Sequence, residues 1–157
     1  MLKISIFELF WAVIPEAFIF IFGVYIMTNK PFEYKRIMVS GLAAGIATYL
    51  IRLLPLFPGA NMFFVILIST ALLVAVNKIY IIQAISSFLT LVVVRIATEW
   101  LNLFVLFELL HIKLDPNIDP VHKTLLFIPS MILFLLIVVA IYFIKRRRSK
   151  KISNVSD

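Results

Sequence analysis

The sequence predicts an all-α integral membrane protein, a helical bundle with five transmembrane helices. Three observations lead to this fold class. Hydrophobic residues make up 63% of the 157 residues, charged residues make up only 15%, and the apolar residues form long continuous runs. An average soluble domain has about 25% charged residues. Continuous apolar runs satisfy their backbone groups within helices, whereas the strands of a membrane barrel would alternate apolar and polar residues.

Five apolar segments follow one another, at about 6–28, 37–54, 61–76, 79–110 and 124–144. A helix needs about 20 residues to cross the hydrocarbon layer. The third segment is short, so we expect it to borrow Leu56 and Phe57 from the preceding loop. The fourth is long, so we expect it to tilt, kink or project beyond the bilayer. A re-entrant third segment, which would leave four spans, is the alternative.

Residues 1–144 therefore form one transmembrane domain, and residues 145–157 form a basic tail that we expect to be disordered beyond its first turn. With five spans, ten Lys and Arg residues lie on the side of the tail and three lie on the other side. The positive-inside rule then places the N-terminus outside and the C-terminus in the cytoplasm. The aromatic residues agree, because Trp residues fall near the outer ends of the segments and Tyr residues near the inner ends: Trp11, Trp100, Tyr34, Tyr80, Tyr142.

Several functional classes find no support in the sequence. The chain has no cysteine, and it contains no HExxH, GxSxG, P-loop or dinucleotide-binding motif. The loop residues His111, Asp115, Asp119 and His122 do not have the spacing of a zinc site. The tail lacks the aromatic residues and folded scaffold of a nucleic-acid-binding module. We therefore expect a non-catalytic protein without cofactor, metal or nucleic-acid partner, whose tail attracts anionic lipid in the bilayer.

The strongest functional signal is charge within the apolar segments. Each such residue costs about 2.5–3.5 kcal/mol at mid-helix if it is unpaired, and four of them have formal charges that sum to zero: Glu16, Arg52, Arg95, Glu99. All four fall in the middle to outer half of the bilayer, and Glu8 and Glu108 lie nearer the outer surface. One interpretation is a polar pocket between the first, second and fourth helices, open to the outside. Salt bridges that only fix helix register, or an ion or proton path, are the alternatives.

Two further features concern helix geometry. Pro15 cannot donate to the carbonyl of Trp11, so it is expected to kink the first helix and act either as a hinge or as a packing device. Gly41 and Gly45 form a GxxxG pair that lets another helix approach closely. That helix belongs either to the same chain or to a homodimer partner or other subunit.

Parts of the chain resemble a known family. The runs Phe7-Glu8-Leu9-Phe10 and Ile14-Pro15-Glu16-Ala17-Phe18, the run from Thr48 to Pro55 followed by Phe57 and Gly59, and Glu99 late in the fourth helix are similar to the membrane-spanning sensor region of Firmicute (clostridial-type) GHKL sensor histidine kinases. The resemblance covers about residues 5 to 145. It implies a location in the bacterial cell membrane and a role in signal transduction.

The chain departs from that family after the last helix. It ends 13 residues later, without a dimerisation helix, a phosphoacceptor histidine or an ATP-binding domain. The resemblance therefore implies a detached sensor or receptor-like module that acts through a cytoplasmic or membrane signalling protein in trans. A small transporter or transporter subunit, which uses the same intramembrane charges, is the alternative function.

Overall fold

In the computed structural model, which describes residues 6–55, 57–109 and 120–153, every regular element is a helix. We number the long helices in chain order: α1 Ile14–Thr28, α2 Tyr34–Leu53, α3 Pro58–Ala75, α4 Ile81–Phe104 and α5 Pro120–Ser153. A short α-helical turn, Ile6–Glu8, and a π-helical turn, Leu9–Val13, precede α1. A second π-helical turn, Val105–Leu109, continues α4.

The predicted all-α fold is confirmed for the described residues. Within the part of the chain that the structure describes, four stretches are long and apolar enough to cross a membrane: Leu9–Thr28, Tyr34–Leu53, Ile81–Glu108 and Thr124–Arg147. The apolar part of α3, Gly59–Ala75, is shorter. The 18 residues of α3 extend about 27 Å at 1.5 Å per residue. Length and composition thus support a helical membrane protein with four such helices and leave α3 as the short one.

Two expected boundaries were wrong. We expected the third segment to gain Leu56 and Phe57, but α3 begins at Pro58 and Phe57 is the extended residue before it; Leu56 lies outside the described residues. Proline suits the first helical position because its missing N–H has no partner to lose there. The expected disorder beyond the first turn of the basic tail is also wrong as far as Ser153, since α5 continues to that residue. Lysine and arginine are good helix formers, and their charges are favourable near a helix C-terminus.

The bundle is organised around α1. This helix packs against α2, α4 and α5, while α3 packs between α2 and α4. Side chains from four of the helices meet in the core of the bundle. Six of these core residues have no exposed surface: Ile21, Val24, Tyr25, Leu73, Leu91, Phe134. Many large apolar side chains on the outer faces are exposed, for example Leu50, Leu67 and Leu136. An apolar exterior of this kind is suited to lipid.

The two ends of the bundle carry different aromatic residues. Exposed Trp11 and Trp100 lie at one end, and exposed Tyr34 and Tyr80 lie at the other. Between Tyr80 and Trp100 the chain of α4 rises by about 30 Å, which matches the hydrocarbon thickness of a bilayer. We call the end with Trp11 and Trp100 the tryptophan end. We call the end with Tyr34 and Tyr80 the basic end, because Lys30, Lys78 and Lys145 lie there.

Candidate ligand-binding cavity

Arg95 is the centre of the charged site. The buried residues of α4 recur at helical spacing and form the stripe Ala84, Phe88, Leu91, Arg95, Thr98 and Asn102. Because Arg95 belongs to this stripe, its side chain points into the bundle rather than toward lipid. Arg95 Nε lies 2.5 Å from Glu16 Oε1 on α1, and Nη2 lies 2.8 Å from Glu99 Oε1 one turn along α4.

The third guanidinium nitrogen of Arg95 contacts α5. Its Nη1 donates to Ser130 Oγ at 3.2 Å, and Ser130 Oγ donates in turn to the carbonyl of Phe127 at 2.7 Å. The guanidinium therefore joins α1, α4 and α5 through all three of its nitrogens. Sequence reasoning missed Ser130, although Pro129-Ser130 interrupts an otherwise apolar segment.

A second polar contact between α4 and α5 was also missed. Asn102 Nδ2 donates to the carbonyl of Leu126 at 2.9 Å. Asn102 lies seven residues after Arg95 on the same buried stripe. This spacing of about two helical turns could have indicated that both residues face the interior of the bundle. The tryptophan end of the α4–α5 contact is thus held by polar groups at two levels.

Arg52 is placed differently from the other three predicted charges. Its Nη1 lies 3.9 Å from Glu8 Oε1, which is longer than a hydrogen bond, and its side chain is 38% exposed. Mutual neutralisation of the four charges is therefore only partly observed: Glu16, Arg95 and Glu99 form one cluster, and Arg52 faces Glu8. The remaining predicted residue, Glu108, is exposed on the π-helical turn after α4.

All four intramembrane charges nevertheless line one cavity of about 490 Å³. Binding sites for small molecules are commonly about 300–1,000 Å³ in volume. The sequence predicts a pocket between the first, second and fourth helices, and α3 adds a fourth wall with Asn61, Val65 and Ser69. Glu8 and Glu108 do not line this cavity.

The cavity has a charged rim and an apolar floor. Glu16, Arg52 and Glu99 lie toward the tryptophan end, whereas Ile21, Ala44 and Phe88 line the part nearer the middle of the bundle. From Arg52 down to Ala44 the depth along α2 is about 12 Å. The site therefore suits a molecule with a polar head and an apolar body.

Tightly packed side chains close the cavity toward the basic end. Leu73, Tyr25 and Asn77 have no exposed surface. Tyr25 Oη donates to Asn77 Oδ1 at 2.7 Å, and Ser40 Oγ lies 3.4 Å from the same oxygen. We call Tyr25, Ser40, Leu73 and Asn77 the plug. It joins α1 and α2 to the end of α3 and separates the cavity from the basic end.

Asn61 contributes an unused hydrogen-bond acceptor. Its Oδ1 is buried and has no hydrogen-bond partner within the described part of the chain, and the residue lines the cavity. A buried acceptor without a partner costs about 1–3 kcal/mol. A rotation of the Asn61 side chain would turn this oxygen into the cavity, where a bound molecule with an N–H or O–H group would satisfy it. Asn61 was not among the predicted site residues.

Pro15 changes the helix immediately before Glu16. The amide of Ile14 donates to the carbonyl of Leu9, five residues back, and this bond widens the turn. Pro15 itself has no N–H to donate. Wide turns of this type occur mostly as single turns inside α-helices and frequently at functional sites. Whether Pro15 also acts as a hinge stays a prediction.

Gly41 and Gly45 are used for packing within the chain. A Cβ atom at Gly41 would lie 2.5 Å from the ring of Phe18, and one at Gly45 would lie 3.3 Å from the Cα of Ile14. Close approach of α1 and α2 therefore depends on both glycines. Since α1 covers this face, a homodimer would need another surface.

The predicted loop residues His111, Asp115 and Asp119 lie outside the described residues. His122 is exposed on α5. Among the residues that the structure does describe, no group of three His, Asp or Glu side chains is placed to hold a metal ion.

Comparison with known proteins adds no family to these observations. No protein-family model, curated protein or solved structure matches the chain. The resemblance to kinase sensor regions stays a prediction, and function is inferred from the chemistry of the cavity.

Proposed function

We propose that this chain is a five-span, non-catalytic receptor-like module of a bacterial cell membrane, with its N-terminus outside and its C-terminus in the cytoplasm. It binds a small amphipathic ligand from the outside and acts through a signalling protein in trans. One observation carries the proposal: four charged residues from three helices line one cavity that has an apolar floor and a closed far end.

The path of α3 supports five spans. Asn61, near the start of α3, lines the cavity beside the charged rim. Asn77, just after its end, contacts Tyr25 and Ser40 in the plug. α3 therefore runs most of the way between the two ends of the bundle, and the basic residues then segregate to one side, as the positive-inside rule requires.

The ligand follows from the groups that are still able to bind one. Arg95 is buried, its charge faces two carboxylates, and three of its five N–H donors are already bound, so it positions Glu16 and Glu99 rather than receiving a ligand. Arg52 lines the cavity and has its carboxylate partner only at 3.9 Å, so its donors are available to an anionic group. Asn61 Oδ1, once its side chain has rotated toward the cavity, would accept a hydrogen bond from the same molecule. The apolar floor would hold the ligand's hydrocarbon part.

The helices are bonded to one another differently at the basic end and at the tryptophan end of the bundle, and this difference favours signalling over conduction. At the basic end, Lys30 donates to the carbonyls of Asn77 and Lys78, and Lys145 donates to the carbonyls of Ile26 and Met27. These bonds and the plug join several helices, whereas Arg52 and Glu8 are loosely paired at the tryptophan end. A ligand at the rim would shift the outer end of α2, where Arg52 and Glu8 are loosely paired, against the α1, α4 and α5 ends that Arg95 ties together, while the inner end stays fixed. Arg95 would pass this shift to α5, provided that the ligand binds one arrangement more tightly.

A thermal-shift screen with purified protein tests this function. Amphipathic anions are added to the wild type and to the Arg52→Gln and Glu108→Gln variants. The proposal expects an anion that raises the melting temperature of the wild type and of Glu108→Gln, with a much smaller effect on Arg52→Gln.

The same anion is then offered to sealed vesicles that contain the wild type. Accumulation inside the vesicles would support the transporter and contradict the receptor.

A further inference from the structure

A second cavity lies at the basic end, outside the proposed ligand site. It has a volume of about 310 Å³ and lies between the C-terminal end of α1, the loop after it and α5. Three of its lining residues are cations: Lys30, Lys145 and Arg146. No carboxylate is among the lining residues that the structure describes.

Two of the three cations are fixed by neutral oxygen atoms. Lys145 Nζ donates to Met27 O at 2.7 Å, Ile26 O at 3.2 Å and Asn29 Oδ1 at 3.3 Å. Lys30 Nζ donates to the carbonyls of Asn77 and Lys78. These contacts hold the ammonium groups in position without cancelling their charge by a carboxylate.

Glu33 does not neutralise the cations of this cavity, and Arg146 is available to bind an anion. Glu33 is paired with Arg36, with Nε to Oε2 at 2.9 Å. Arg146 forms no ion pair within the described residues and is exposed at the cavity. Its five N–H donors and the remaining N–H of Lys30 are therefore able to bind an anion.

Aromatic rings shape the wall of this cavity. The ring of Phe32 stacks against Tyr25, with centroids 6.1 Å apart, and lies 6.3 Å from the ring of Tyr142 on α5. Phe32 thereby holds the loop that carries Lys30 against the bundle. The cavity is at the same end as the exposed Tyr34 and Tyr80, and tyrosines of this kind lie at the level of the lipid headgroups.

We propose that this second cavity binds the phosphate of an anionic phospholipid headgroup. Arg146 contacts the phosphate oxygens directly, Lys30 adds a further hydrogen bond, and Lys145 supplies positive charge beside them. Phosphate is matched by the planar donor set of arginine, and basic pockets between membrane helices on the cytoplasmic side are suited to such headgroups. The proposal does not depend on the receptor function.

Two neighbouring arginines provide a matched test. Arg146 and Arg147 are both exposed on α5, but only Arg146 lines the cavity. Binding of phosphatidylglycerol to the detergent-solubilised wild type, Arg146→Gln and Arg147→Gln is measured by native mass spectrometry, with phosphatidylcholine as the neutral lipid. We expect Arg146→Gln to weaken phosphatidylglycerol binding about tenfold, as for the loss of one charge-assisted pair, and Arg147→Gln to leave it nearly unchanged.

Two results would overturn the proposal. Equal weakening in both variants would show diffuse attraction to a basic helix instead of a site. Displacement of the lipid by an equal concentration of inorganic phosphate would assign the cavity to the free ion. Melting temperatures of the two variants, measured alongside, are expected to match that of the wild type, because both side chains are exposed.

Discussion

Arg95 Nε lies 2.5 Å from Glu16 Oε1, although the two residues are 79 positions apart in the chain. This ion pair joins α1 to α4 inside the bundle, and the contact of the same guanidinium with Ser130 adds α5. A charged cluster that connects three helices fixes their relative register. It also places a second carboxylate, Glu99, on the rim of the cavity.

The first prediction concerns this cluster. Arg95→Met should lower the free energy of unfolding by about 3–5 kcal/mol, because it leaves the largely buried carboxylate of Glu16 without its cation and removes the partner of the partly exposed Glu99. Glu108→Gln, at an exposed position, should change it by less than about 0.5 kcal/mol. Chemical unfolding in detergent, followed by circular dichroism, measures both. A wild-type-like stability of Arg95→Met would mean that the cluster does not hold the helices together.

The second prediction concerns the contact of α1 with α2. Gly41→Ala places a methyl group against the ring of Phe18 and should destabilise the protein by about 1–3 kcal/mol. Gly59→Ala is the control, since among the described residues its new methyl group would meet only Phe57, at 3.9 Å. Thermal unfolding of both variants in detergent tests the contact. If both alanines are equally well tolerated, α1 does not pack on this face of α2.

The third prediction concerns the plug. Tyr25→Phe removes the donor to Asn77 Oδ1 and should reduce stability by about 0.5–1.5 kcal/mol. Tyr80→Phe, whose side chain is exposed, should have no measurable effect. Because the apolar packing of the plug remains, vesicles with Tyr25→Phe should stay as tight to protons as those with wild type, as a pH-sensitive dye trapped inside them would show. Proton leakage through the wild type would argue against closure of the cavity toward the basic end.

The fourth prediction concerns Arg52. Since its pairing with Glu8 is long and partly exposed, Arg52→Gln should change stability by less than about 1 kcal/mol. It should nevertheless slow the reaction of an anionic thiol reagent with a cysteine introduced at Thr48, one turn away on the cavity wall. A neutral reagent of similar size should react at an unchanged rate. Equal slowing of both reagents would point to a change of shape instead of a loss of charge.

The fold class was predictable from the sequence because apolar length alone determines where membrane helices form. Helix ends were less predictable. The start of α3 depends on Pro58 at the first helical position. The extension of α5 depends on the helix propensity of basic residues, which are too polar to be counted in an apolar segment. Both effects are local, and neither is visible in an apolar run.

The candidate site was predictable only in part. A charge in an apolar segment is conspicuous, so Glu16, Arg52, Arg95 and Glu99 could be found without a structure. The i, i+4 spacing of Arg95 and Glu99 also predicts that they share one helix face. The partner of Arg52 could not be predicted, because the choice between Glu8 and Glu16 depends on how far α2 is displaced along α1. Ser130 and Asn61 were missed because a single neutral polar residue is common in membrane helices.

The central claim is that the charged cavity is reached by water from the outer face, and labelling of single cysteines tests it most directly. The chain has no cysteine of its own, so Thr48→Cys reports on the cavity wall. Leu50→Cys, two residues further on α2, reports on the apolar exterior, where that side chain is 56% exposed. In intact cells, a membrane-impermeant thiol reagent should modify Thr48→Cys and leave Leu50→Cys unmodified. Modification of Thr48→Cys only in inside-out vesicles, or of neither variant from either side, would contradict the account.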